Sequence, residues 1–436
     1  MPSSPSADVV ICGAGIAGAA AAYHLAVRHG VRHVVLIDER EPLTLTTDKG
    51  TQGYRNWWPG PDDTMCRFVS RSIDLLEETA IESGNVFRLN RRGYLFATAD
   101  PRQLETLEAT AHAVSTFGMG PVRTHMDTSA YQPHHADGFL DQPTGADLLV
   151  GAAARRAFPY LARDTIGALH VRRAGTMNSV ALGAWFITRA MAHGARLVRD
   201  RVTGVVTTGG RVRAVRLASG DSIATDRVIV AAGPAVRDFE DMLGIDVPVV
   251  HELHSKMTVR DPKAFVARDA PFVIWNDPIT IDGELFPAGM HFRPVDLAGG
   301  DELYLIWTFE TELKPYVWPP SFDQRAGDIL LRGLARMVPP AAAYVGRATG
   351  LIDGGYYCKT RENRPLIGPL PIEGAYMLGA LSGTGLMSAH AAAELCALHV
   401  TGGRLPDYAP TFLPSRYSDA SYNAQVDRWG ARAGQL

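Results

Sequence analysis

Three glycines near the amino terminus carry the first chemistry. The apolar run Val9-Val10-Ile11-Cys12 enters Gly13-Ala14-Gly15-Ile16-Ala17-Gly18 and then an alanine-rich stretch through Ala26. This spacing between a strand and a helix makes a dinucleotide cradle. Gly13 permits the tight turn, Gly15 admits a pyrophosphate to the backbone, and Gly18 lets the helix lie close on the strand with its dipole and N–H groups facing the phosphates. A second apolar run, Val34-Val35-Leu36-Ile37, ends at Asp38, where a carboxylate holds a ribose hydroxyl. Far along the chain Ser382-Gly383-Thr384-Gly385 opens another helix. Its positive end, freed by glycines, suits a ring that gains negative charge on reduction. The combination points to oxidation–reduction.

The elements that must position these groups follow from periodicity. The first glycine turn sits between two strands, and the late one follows the strand Tyr376-Met377-Leu378 and precedes a helix over 386–400. A strand Val228-Ile229-Val230 closes on Ala231-Ala232-Gly233-Pro234, small residues that allow close passage past a buried ligand. No second GxGxxG follows a strand, so a flavin reduced by its own substrate fits better than one served by a nicotinamide. Outside these motifs, β-like runs cover 93–98, 247–260, 272–275 and 303–309, and helical stretches cover 62–84 and 101–118.

Composition sets the frame. The chain has 436 residues, a formal net charge of −3, 46% hydrophobic and 20% charged residues. That length predicts two domains, and the charge excludes a strong field for nucleic acid or anionic membrane. The first apolar run lacks a basic leader and reads as a core strand, and no stretch is apolar enough to span a bilayer. Cys12, Cys66, Cys358 and Cys396 show no metal-ligand spacing, which suits free thiols in a reducing cytoplasm. Residues 1–7 read as a disordered tail.

With those motifs in place the chain resembles the D-amino-acid oxidase family of FAD enzymes, nearest its sarcosine oxidase, glycine oxidase and dimethylglycine dehydrogenase branch. The resemblance covers about residues 8–402. It implies an α/β (α+β) fold, a Rossmann-like FAD-binding domain with an inserted antiparallel-sheet substrate domain. The expected boundaries are 1–90, 145–240 and 350–402 for FAD, 91–144 and 241–349 for substrate, and 403–436 for a carboxy-terminal tail that wraps the FAD domain or meets a second subunit. It also implies the activity: an unprotonated secondary or primary amine, or an amino acid, loses a hydride to flavin N5 and becomes an imine. The partner that reoxidises the flavin is O2 or an electron-transfer protein. The implied cofactor set comprises Gly13, Ala14, Gly15, Ile16, Ala17, Gly18, Asp38, Glu39, Arg40, Thr47, Asp48, Lys49, Val202, Ala232, Gly233, Gly383, Thr384, Gly385, Leu386 and Met387.

The loop over 46–59 follows the ribose strand and, by the resemblance, runs beneath the flavin. An arginine aligned with Arg55 holds a substrate carboxylate there, since its fork matches that group; an internal ion pair is the plainer alternative. Lys49 would lie near the flavin, and Tyr357 would line the substrate side and donate a hydrogen bond. Trp57 and Trp58 supply pocket wall or core, with at least one in the core. Two positions depart from the sarcosine oxidase pattern. Met387 stands where that branch has a carboxylate-binding lysine, and Tyr304 where it has an oxygen-activating one. Both suggest a larger, more apolar substrate than sarcosine. The relatives' flavin-linking cysteine aligns with Gly355, not Cys358, so noncovalent FAD is expected. His251 and His254, three apart on a strand, point to opposite faces, so one of them can face the pocket, and a satisfied structural histidine is the preferred reading. A noncatalytic flavin-binding scaffold is the rival from another class, and a nicotinamide-dependent dehydrogenase the third reading.

Overall fold

The computed structural model describes residues 6–295, 300–310 and 312–429. Its first layer is a six-stranded sheet in the order Leu366–Pro369, Ala375–Gly379, Val228–Val230, Val9–Cys12, Val34–Asp38, Arg196–Arg199. All neighbours are parallel except the first pair. Alternation along the strands explains how both faces are covered. Val9 and Ile11 join Ala19, Tyr23, Phe186 and Ala392 in one core, beneath the helices Ile16–Tyr23, Ser179–Ala192 and Gly385–Thr401. Val10 and Cys12 face the other way, into a core shared with Val205, Val212 and Val215 of a three-stranded sheet.

The second layer has nine strands, in the order Leu351–Lys359, Val250–Arg260, Glu302–Trp307, Met290–Pro294, Phe272–Trp275, Tyr94–Thr98, Gly167–Val171, Ala146–Val150, Val122–His125. Two parallel pairs interrupt its antiparallel order. Leu95, Val273, Trp275, Leu305 and Trp307 pack one face against the helix Ala326–Met337. Tyr94, Phe96, Phe272 and Ile274 present the opposite face to the cavity described below. Ala146–Val150, Gly167–Val171 and Leu351–Lys359 fall inside the segments expected to build the FAD domain, yet they pair in this sheet. Alternation of side chains is the same in either sheet, so a short strand's sequence does not name its partner.

Of the amino-terminal tail, residues 1–5 lie outside the described residues, whereas Ser6 and Ala7 pair with Ala224. The carboxy-terminal tail wraps the same chain, except for residues 430–436, which also lie outside the described residues. Tyr408 and Phe412 pack on Phe68 of the helix Thr64–Ser83. Arg416 donates to Glu362 at 2.7 and 3.0 Å, both side chains being buried. Removing Arg416 leaves the Glu362 carboxylate buried without its counter-charge, held by the hydroxyls of Tyr417 and Tyr422. Arg416→Ala is therefore expected to cost about 3–5 kcal/mol, read by urea unfolding of the ligand-free protein; a loss under about 1 kcal/mol would deny the tail its anchoring role.

Candidate functional site

Between the two large sheets lies a cavity of about 650 Å³. A second, of about 340 Å³, shares Gly13, Gly15, Asp38 and Ala232 with it and continues past Glu39, Arg40 and Val202. The glycine turn stands at their junction. Gly13 has φ +111°, and a Cβ there would strike the carbonyl of Ala231. A Cβ on Gly18 would strike the carbonyl of Gly13, so helix and strand close together only because position 18 is bare. Gly15 differs: its φ is −70°, open to any residue, and its bare face meets only Thr47 Oγ1 at 3.5 Å. That space is left for something other than protein.

The cradle is braced by the chain itself. Ala14 N donates to Asp38 Oδ2 at 2.7 Å and Arg40 N to Oδ1 at 2.9 Å. Ile16 N donates to Thr47 Oγ1 at 3.0 Å. Asp38 keeps lone pairs for a ribose hydroxyl, because a carboxylate offers about four acceptor positions. Residues 382–387 line the larger cavity at the amino-terminal end of the helix Gly385–Thr401. The ring of Tyr357 packs against Gly383, where a Cβ would come within 2.5 Å of it. A bare glycine facing open space, a fixed carboxylate and two helix amino termini fit a flavin dinucleotide.

The remaining wall is aromatic and polar. Arg55 lies deep in the cavity, its guanidinium 5.2 Å from the Trp58 ring centre and 5.3 Å from that of Tyr94. Its Nε donates to Trp57 O at 3.1 Å. Burial lowers its pKa, the Tyr94 phenol beside it offsets part of this, and among the described residues no carboxylate pairs with it. The other strong cation on the wall, Lys359, is paired with Glu252 at 2.8 Å. His254 stacks on Tyr357 with centroids 3.7 Å apart, and burial raises the Tyr357 phenol to about 12. His291 lies against Phe272, its Nδ1 2.8 Å from Gly289 O, and burial lowers it to about 4.

Residues 8–398 match the family described as FAD dependent oxidoreductase, DAO. The chain belongs to that family. It is 29% identical over 269 residues to the mitochondrial sarcosine dehydrogenase of Mus musculus, a match covering 58% of this chain and 26% of that protein. The chain thus spans about a quarter of that relative's length. Among solved structures it resembles L-proline dehydrogenase from P. horikoshii, with TM-score 0.77, 20% identity, and 95% and 98% of the two chains covered. Glycine oxidase from Geobacillus kaustophilus gives 0.75, 18%, 94% and 99%. At these identities the structural likeness concerns the fold.

This FAD dependent oxidoreductase brings most of the sequence-derived site residues to the two cavities. Gly13, Gly15, Ile16, Ala17, Asp38, Thr47, Arg55, Ala232, Gly233, Tyr357 and residues 383–387 line the first, and Glu39, Arg40 and Val202 the second. Ala14 and Gly18 support the turn from behind. Asp48, Lys49 and Tyr304 do not line either cavity. Lys49 is held by Asp48 at 3.1 Å and Asp353 at 3.3 Å; burial opposes its charge, but these acids outweigh it and raise its pKa. Tyr304 lies between Arg293 and Lys256, 4.8 and 4.6 Å from its ring centre. Trp57 is core, whereas Trp58 lines the cavity. His254 is the one of the pair that lines it, the alternative to the preferred structural reading, while His251 packs toward Tyr316 and Tyr356. The sequence reading missed Glu252, Thr308, His291 and Lys359 altogether. Strand parity was the available signal for His254; the others became visible only when four strands were set side by side.

Proposed function

We propose that this oxidoreductase oxidises the C–N bond of a secondary or primary amine, or an amino acid, to the imine, and that its preferred substrate is bulky and carries a carboxylate. The observation that carries this reading is Arg55, a half-buried guanidinium on the cavity wall with no carboxylate partner among the described residues. Such a group needs an anion to offset its burial, and its planar fork suits a carboxylate. Phe96, Phe272, Ile274 and Trp58 offer an apolar wall to a large side chain. When bound, FAD supplies a two-electron acceptor for the hydrogen on the carbon beside nitrogen. The protein's own residues anchor the substrate at Arg55, exclude water with the aromatic wall, and hold the cofactor by the glycine turn, Asp38 and the helix end at Gly385.

Noncovalent attachment is part of the proposal. Cys358 lines the cavity, but burial pushes its thiol up to about 12, which keeps it protonated and a poor nucleophile. O2 or an electron-transfer protein then takes the electrons. The test is an anaerobic titration of the holoprotein with racemic N-methylphenylalanine and with N-methylphenethylamine, its counterpart lacking the carboxylate, while recording the flavin spectrum. Bleaching by the acid is the expected result. Bleaching by the amine without a carboxylate alone would remove Arg55 from substrate binding, and a flavin that neither compound reduces would favour the noncatalytic scaffold.

A further inference from the structure

Behind the aromatic wall three side chains form a hydrogen-bonded line that ends in the cavity. Thr308 Oγ1 lies 2.8 Å from His254 Nδ1, and His254 Nε2 lies 3.3 Å from Glu252 Oε2. Thr308, His254 and Glu252 all line the cavity. The hydrogen bond from His254, reinforced by Lys359 and opposed by burial, holds Glu252 down to about 2, so it is ionised and only accepts. Nε2 must therefore carry the imidazole proton, Nδ1 is the acceptor, and Thr308 donates to it. The oxygen of Thr308 keeps lone pairs for a donor arriving from the cavity.

We propose that Thr308, His254 and Glu252 form a relay that removes the ammonium proton of the bound amine. This rests on the amine reading above and adds the step that makes the substrate competent. An ammonium has no lone pair to form the C=N bond, and an alkyl amine with a pKa of about 10 is roughly one part in a thousand neutral at pH 7. The N–H proton passes to Thr308 Oγ1 as the hydroxyl proton passes to His254 Nδ1. The N–H bond breaks, a new N–H bond forms on the imidazole, and the lone pair stays on the substrate nitrogen. Glu252 faces the resulting imidazolium, and Lys359 keeps that carboxylate ionised.

The neighbours of His254 agree with this direction of transfer. Burial, with Lys359, lowers its pKa and leaves the resting ring neutral, whereas the hydrogen bond and charge of Glu252 raise it and are what favour the imidazolium formed by the transfer. Tyr357 from the strand Leu351–Lys359 covers its face, and His291 lies farther along the wall on Met290–Pro294. His291 is the poorer acceptor. Its Nδ1 is turned to the Gly289 carbonyl, and among the described residues no acid stands behind it to stabilise a second proton.

The deciding experiment follows flavin reduction in the FAD-loaded protein by stopped flow between pH 6 and pH 10, with racemic N-methylphenylalanine. Thr308→Val and His254→Gln are expected to reduce the second-order rate constant about a hundredfold at pH 7, within the usual range for general acid–base catalysis. The deficit should close to within about threefold at pH 10, where about half of the amine is already neutral in solution. Thr308→Ser should restore the wild-type profile. A deficit equal at every pH would assign these residues a structural role and overturn the relay, as would no deficit in variants that retain full FAD content. If the wild-type flavin is reduced by neither amine, the amine reading falls and the relay with it, an outcome distinct from failure in the variants alone.

Discussion

Arg55→Met is expected to lower the rate constant for flavin reduction by N-methylphenylalanine by about two to four powers of ten, and to change that for N-methylphenethylamine by less than about threefold. The size follows from two charge-assisted hydrogen bonds lost from a desolvated site, at about 1.5–3 kcal/mol each. Selectivity is the sharper readout, because only the substrate with a carboxylate can feel the missing fork. Arg55→Lys should recover only part of the loss. A lysine keeps the charge but not the bidentate geometry, nor the stacking between Trp58 and Tyr94. Stability supplies an independent check. A guanidinium deep in a cavity with no acid partner among the described residues is a cost to the ligand-free fold. Ligand-free Arg55→Met should therefore unfold at no lower temperature than wild type. A marked loss of stability would mean that Arg55 acts as a structural tie, and an unchanged ratio of the two amines would remove it from substrate recognition.

What the sequence disclosed and what it hid follow one physical division. Short apolar strands with strong turn signals were legible: 228–230 and 272–275 were read at the bounds the structure has. The dinucleotide cradle was legible because its requirements are local, three bare positions and a fixed carboxylate within one strand–helix–strand unit. Arg55 stood out because its loop follows directly from that unit. The Thr308–His254–Glu252 line was hidden because it depends on the pairing of Val250–Arg260 with Glu302–Trp307, which sets Ser255 opposite Trp307. Nothing near either segment states that register. Lys49 illustrates the same limit in reverse. Local sequence presents it as a free cation beside the cofactor loop, but the strand Leu351–Lys359 brings Asp353 to it from across the fold.

Gly15→Ala and Gly18→Ala should separate what the cofactor requires from what the fold requires. At Gly18 an added methyl group meets the carbonyl of Gly13, and backbone on both sides cannot give way cheaply. That variant is expected to lose stability before any ligand is considered, with a thermal midpoint lowered by several degrees and little FAD retained. At Gly15 the backbone is extended at φ −70° and the nearest protein atom is Thr47 Oγ1 at 3.5 Å, an ordinary contact. The ligand-free Gly15→Ala protein should therefore unfold within about 2 °C of wild type. Its methyl group fills the approach to the N–H groups at the start of the helix Ile16–Tyr23, where a pyrophosphate must come close. FAD affinity is expected to fall about a hundredfold, near 2.7 kcal/mol, measured by fluorescence on titrating the apoprotein with FAD. Wild-type affinity in Gly15→Ala would place the pyrophosphate elsewhere. Equal destabilisation in both variants would mean that position 15 is bare for packing, and the open space beside Thr47 would then have no ligand to explain it.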